Sequence, residues 1–159
     1  MRRLSDKLGN DVDNFILEVQ NDGIEGASIV WKFGHLLSTS TSVVETITDI
    51  GGQYVYYLGY GVNAKKVDIV STSASDIHNF YISGLDANGR EQGEVVTLTG
   101  TTLVTSANTY SRIFRAWNDN SVDLVGNVTI SQTTTANIVA KVTADDQQTL
   151  MATYTIPLG

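Results

Sequence analysis

The sequence predicts an all-β fold: an antiparallel β-sandwich of jelly-roll type, preceded by an extended N-terminal arm. Three observations carry that expectation. Short β-branched and aromatic runs recur between turn-forming clusters, many of them about 8–12 residues apart, with scarcely any helical periodicity. The chain holds 19 Thr and 13 Ser among its 159 residues, and no Thr precedes Thr39. A β-branched hydroxyl residue suits both a strand interior and a wet sheet face, so the body after Thr39 reads as sheet. Finally, Ile77 to Ala116 reads as strand, tight turn, strand, Thr-rich bend and strand. Asp86-Ala87-Asn88-Gly89 forms its turn, because Asn and Gly tolerate positive φ.

The first division is an arm or attachment segment over residues 1–33, the second a sandwich domain over 34–159. The arm is rich in charge and carries an apolar patch, Phe15-Ile16-Leu17. Leu4, Leu8, Val12, Phe15 and Val19 fit one helical face, but Gly9-Asn10 and Asn21-Asp22-Gly23 interrupt it, which favours an arm packing partly on a neighbour. Ile29 to Phe33 alternates weakly. Val43 to Ile50 alternates cleanly and ends at Gly51-Gly52. Gln53 to Leu58 is an aromatic strand, and Lys66 to Ser71 alternates around Asp68. The hairpin over 77–99 has Phe80-Tyr81-Ile82 and Val95-Val96-Thr97-Leu98 as its flanks. Tyr110 to Trp117 follows, then Leu124 to Ser131, Ala136 to Val142 and Thr149 to Ile156, nine or ten strands in all. Pro157 lies beyond the last, where a missing N–H does no harm. So many short strands must fold as two sheets face to face.

Composition narrows the function. A net charge of −7 and a pI near 4.6 argue against a nucleic-acid partner, which needs clustered Lys and Arg. Cysteine is absent, which removes disulfides and thiolate metal sites. No apolar run reaches the roughly 20 residues of a membrane-spanning helix, and no secretory h-region opens the chain, so folding in a cytoplasm is expected.

No catalytic constellation emerges, and neither enzyme activity nor a cofactor is expected. His35 and His78 lie far apart with no Asp or Glu at metal-like spacing, so surface or turn histidines are the better account. Asp11-Val12-Asp13-Asn14 begins like a calcium loop, but Phe15-Ile16-Leu17 replaces its glycine and polar ligands. Asp86, Asn88 and Glu91 could offer oxygen ligands, though Asx-turn bonding explains the first two. Asp49, Asp68, Glu94 and Asp123 nominate no facing pair for glycoside cleavage. No Gly-x-Ser-x-Gly elbow occurs. Asn127-Val128-Thr129 matches the glycosylation sequon by chance. Tyr54, Tyr56, Tyr57 and Tyr60 could face a sugar, but alternation divides them between two faces. Trp31, Phe33 and Trp117 are core plugs or interface anchors.

Several of these segments, in order, resemble a family of tailed-bacteriophage virion structural proteins over about residues 31–157. They are Gly51-Gly52-Gln53-Tyr54, Ser73-Ala74-Ser75-Asp76, Gly84-Leu85-Asp86-Ala87-Asn88, Thr99-Gly100-Thr101-Thr102 and the closing Tyr154-Thr155-Ile156-Pro157. Each is also ordinary turn or strand chemistry; their shared order carries the resemblance. Thr48 departs from the pattern, since family members often place an aromatic there, and many continue beyond the closing proline. The resemblance implies a non-catalytic virion component assembled in the host cytoplasm. Within that class, a capsid decoration or cement protein is expected, binding the major capsid or other virion proteins and its own copies, as a trimer. Neither nucleic acid nor membrane is an expected partner. Arg2, Arg3, Phe15, Ile16, Leu17, Trp31 and Phe33 are the expected interface residues. Neck, tail or baseplate components, and a carbohydrate-binding module of a host-recognition structure, are the alternatives.

Overall fold

In the computed structural model, residues 32–35, 47–50, 54–55, 58–59 and 61–157 are described. The chain divides into two units, Met1–Trp31 and Lys32–Gly159, and every described residue belongs to the second.

The described residues form seven strands and one short 3-10 helix, Gly61–Asn63. The strands are β1 (Val67–Ser71), β2 (Asn79–Leu85), β3 (Glu91–Thr97), β4 (Val104–Thr105), β5 (Arg112–Asn118), β6 (Val128–Gln132) and β7 (Ile138–Val142). They make two antiparallel sheets, one ordered β4-β1-β6-β7 and the other β3-β2-β5. The pairing is nested, β1 with β6 outside and β2 with β5 inside, so the chain crosses between sheets at four of its six strand connections. This is a sandwich-like all-β arrangement.

Period-2 alternation places the core. β1 turns Val67 and Ile69 inward, β6 turns Val128 and Ile130 inward, and β2 contributes Phe80 and Ile82 from the other sheet. With Tyr110, Ile113, Leu124, Val139 and Met151 they form one buried cluster drawn from both sheets. The outward side of the four-stranded sheet carries Asp68, Thr105, Thr129, Ser131 and Thr133, and Asp68 accepts the hydroxyls of Thr105 at 2.6 Å and Thr133 at 3.3 Å. Hydroxyl residues do serve as a wet sheet face.

Alternation breaks at one place in β5, where Ile113 and Phe114 are both buried. The register there slips so that Ser83 faces Arg115 while Gly84 faces Ile113, leaving Phe114 as the extra residue of a β-bulge. A side chain on Gly84 would run into the Arg112 carbonyl, which explains the glycine opposite the bulge.

The hairpin turn differs in detail from its expectation. Only Gly89 has positive φ, at 77°, while Asn88 keeps an ordinary one. Asp86 organises the turn instead: its carboxylate accepts the Asn88 and Arg90 amides at 2.7 and 2.9 Å.

Three strand expectations are corrected. Thr149 to Ile156 is irregular chain; after a single bridge at Gln148 its backbone bonds scatter, Thr149 N–H to Ala116 O at 2.8 Å, Leu150 O from the His35 amide at 2.8 Å and Ala152 N–H to Ile47 O at 2.9 Å, so no ladder forms. Leu124 to Asn127 is loop, and β6 begins only at Val128, because Val125 and Gly126 give their amides to Asp76. Ile47 to Ile50 is bend and turn that buries both Thr48 and Asp49, which a strand would send to opposite faces. β4 was not expected: two residues are too few to show alternation. The rest of Val43–Ile50, most of Gln53–Leu58 and the arm up to Trp31 lie outside the described residues.

Candidate functional site

Connections at one end of the two-sheet body are tied together by Asp76, the last residue of Ser73-Ala74-Ser75-Asp76. Its side chain is fully buried. It accepts the Ser71 hydroxyl and the amides of Val125 at 2.9 Å and Gly126 at 3.0 Å, and its own carbonyl accepts the Gly100 amide at 2.8 Å. Burial opposes ionisation of Asp76, but these hydrogen bonds outweigh it and hold the carboxyl below the usual carboxylate range. Loops 72–78, 98–103 and 119–127 are thereby fixed to one another. Around the bracket they turn Ile77 (63% exposed), Val125 (62%), Leu103 (51%) and Val122 (51%) to solvent.

A second cluster lies along β5 on the three-stranded sheet. Tyr81 and Trp117, cross-strand partners, stack with ring centroids 4.1 Å apart, and Arg115 lies 4.6 Å from the Trp117 ring. The Arg115 guanidinium donates to Gln148 Oε1 at 2.7 and 3.1 Å, while the Tyr81 phenol fills the space above Gly93. The aromatic surfaces are thus covered by the protein's own side chains. Next to them, Lys32 donates to the Phe114 carbonyl and sits 5.6 and 5.9 Å from the Phe114 and Tyr154 rings. Burial, assisted by Arg115, lowers its pKa to about 8. Tyr154 in turn donates to Glu91 at 3.1 Å.

A third cluster joins residues that spacing kept apart. His35 Nδ1 lies 3.3 Å from Asp49 Oδ1, and the Asp49 side chain is 1% exposed with no hydrogen bond beyond that contact. Burial raises the Asp49 pKa, with Asp146 adding to it and His35 and Lys141 opposing. Fourteen positions separate His35 from Asp49, and no local pattern could have paired them.

The remaining candidates are distributed through the fold. Among the expected interface residues, Phe33 is described and is 69% exposed; Arg2, Arg3, Phe15, Ile16, Leu17 and Trp31 lie outside the described residues. So do Asp11 to Asn14 and Tyr56, Tyr57 and Tyr60, while Tyr54 packs half-buried against the core. Glu94 accepts the Tyr110 hydroxyl at 2.9 Å and the amides of Ala107 and Asn108; burial, then Glu94, pushes that phenol well above its usual range. Asp123 accepts from Gln147, and the Asn127 side chain accepts the Ala144 amide. His78 pairs with Asn120. Each described acid proposed from sequence is committed to its own part of the fold, and no group of three His, Asp or Glu suited to a metal occurs among the described residues. No helix among the described residues is long and apolar enough to cross a membrane.

Comparison of the chain with family models, characterised proteins and solved structures finds no match.

Proposed function

We propose that this chain is a structural protein of a tailed-bacteriophage particle, a capsid decoration or cement protein that binds the shell and its own copies. In this reading the body is a jelly-roll-type β-sandwich and residues 1–33 are its attachment arm. The supporting observation is the Asp76 bracket, which fixes three loops while four aliphatic side chains stay at the surface. Holding apolar groups rigidly in water is unfavourable for an isolated domain and useful for one that docks. The segments that carry the resemblance are also framework residues: Asp76 is the bracket, Asp86 and Gly89 make the hairpin, and Tyr154 packs on Phe114 with centroids 5.0 Å apart. The Tyr81–Trp117 stack, with Arg115 against it, is not open to a sugar; Tyr56, Tyr57 and Tyr60, on which the carbohydrate alternative rests, lie outside the described residues.

Two measurements test the proposal. Copies counted in purified particles should number in the hundreds; a dozen or fewer means a neck, tail or baseplate component, and none removes the virion reading. Deleting residues 1–27 should leave the body folded and abolish attachment. Decoration at normal occupancy by the truncated protein would refute the arm's role.

A further inference from the structure

Lys32 and Arg115 bring two positive charges together beside the bulge of β5. The Lys32 ammonium bonds the Phe114 carbonyl, which immediately precedes Arg115, and sits 5.6 Å from the Phe114 ring and 5.9 Å from that of Tyr154. Arg115 lies 4.6 Å from the Trp117 ring and gives Nε and Nη2 to the amide oxygen of Gln148. Both side chains have donors left over, since an ammonium carries three and a guanidinium five. Neither makes an ion pair with a carboxylate among the described residues.

Two like charges held together are unfavourable unless something else completes them. Burial, then Arg115, works against the Lys32 charge, and no acid offsets them. The chain holds 17 Asp and Glu against 10 Lys and Arg, so carboxylates are plentiful, yet no described one neutralises this pair. Glu91 lies on β3, with β2 between it and β5, and accepts the Tyr154 hydroxyl at 3.1 Å. Asp49 faces His35 instead, at 3.3 Å.

We propose that Lys32 and Arg115 form a binding site for the carboxylate group of a ligand, one oxygen taken by the ammonium and the other by Arg115 Nη1. A guanidinium edge and an ammonium supply two donor groups for two oxygens, whereas a phosphate presents more oxygens than this pair can serve. Arg115 is exposed and leaves the site open to solvent on its side. Lys32 is half-buried against the two rings, where a charge attracts an anion more strongly than it would in bulk water. The inference rests on these two side chains and does not require the virion reading. It holds for a free small molecule and for a carboxylate borne by a partner alike.

Carbon-detected NMR of the Lys32 side chain in the full-length protein tests it, with sodium acetate replacing sodium chloride at constant ionic strength. A bound carboxylate favours the charged ammonium, so the Lys32 pKa should climb saturably from about 8 to about 9 or higher. Acetate, glucuronate and N-acetylglutamate at equal concentration separate a bare carboxylate from one carried on a sugar or an amino acid. A response to any of them supports the site, and the tightest names the source. Arg115→Gln should keep the wild-type far-UV circular dichroism, its position being exposed, and should lose the response. Without added carboxylate its Lys32 pKa should already lie higher, because a like charge is gone. Arg115→Lys, which keeps the charge, should retain most of the response. Three results would overturn the proposal: a Lys32 pKa that no carboxylate moves beyond the chloride control, a larger effect from phosphate than from any carboxylate, or an Arg115→Gln variant that responds like the wild type.

Discussion

Replacing Asp76 by Ala removes the acceptor for two backbone amides and one hydroxyl in a fully buried position. Among the described hydrogen bonds the Val125 and Gly126 amides donate to Asp76 alone. A buried donor left without a partner costs about 1–3 kcal/mol, and the freed Ser71 hydroxyl can rotate toward another acceptor. Relief from burying a carboxylate offsets part of the loss. The net expectation is about 3 kcal/mol of destabilisation at neutral pH, a large share of the 5–15 kcal/mol typical of a domain. The pH dependence gives an independent check. The folded pKa of Asp76 lies below its unfolded value, so its contribution is present above the unfolded pKa, near about 4, and is lost as pH falls through the folded pKa. Urea unfolding of wild type and Asp76→Ala from pH 7 downward measures both. The gap between them should narrow below about pH 4. A gap under about 1 kcal/mol at pH 7, or one that stays constant into acid, would refute the bracket.

Further predictions concern the backbone and Lys32. Thr134 adopts φ 86° in the β6–β7 turn although it is β-branched, so Thr134→Gly should stabilise the protein by about 1 kcal/mol, read as a higher urea midpoint; an unchanged or lower midpoint would contradict the strain. Gly89→Val should have the opposite sign and destabilise by about 1 kcal/mol or more, because Gly89 sits at φ 77°. Unchanged melting would show that the turn adopts another conformation. Lys32 should titrate near pH 8 by carbon-detected NMR of its side chain. Between that value and its unfolded pKa of about 10.4 the unfolded chain holds more protons, so this group makes folding more favourable as pH rises. A midpoint above about 10 would mean that Lys32 is not held against Phe114 and Tyr154.

What the sequence disclosed was mainly what alternation and turn chemistry encode. Lys66 to Ser71 anticipates β1, the Asp86–Gly89 turn anticipates the β2–β3 hairpin, and Tyr110 to Trp117 anticipates β5. Thr149 to Ile156 misled because its backbone hydrogen bonds go singly to Ala116, His35 and Ile47 where one continuous ladder was expected. Ile113-Phe114 could not reveal the bulge, since two adjacent apolar residues also suit a strand buried on both faces. The candidate surfaces were less legible still. Asp76 is visible in the sequence only as the end of Ser73-Ala74-Ser75-Asp76, and its partners Val125 and Gly126 lie 49 and 50 positions away. The Tyr81–Trp117 stack depends on β2 pairing with β5 across the intervening β3 and β4. The gathering of loops 72–78, 98–103 and 119–127 at one end follows from the up-and-down path of the chain, which collects alternate connections at alternate ends; composition supplies only the net −7.

The proposed role is one of contact, with loops held by the Asp76 bracket presenting an apolar end to a larger assembly. Cryo-EM of native particles, with this body fitted to the map, is the most direct test. The expected result is repeated density for the two-sheet body across the particle surface, with the Ile77–Val125 end buried in a contact. Particles complete without this chain would contradict it.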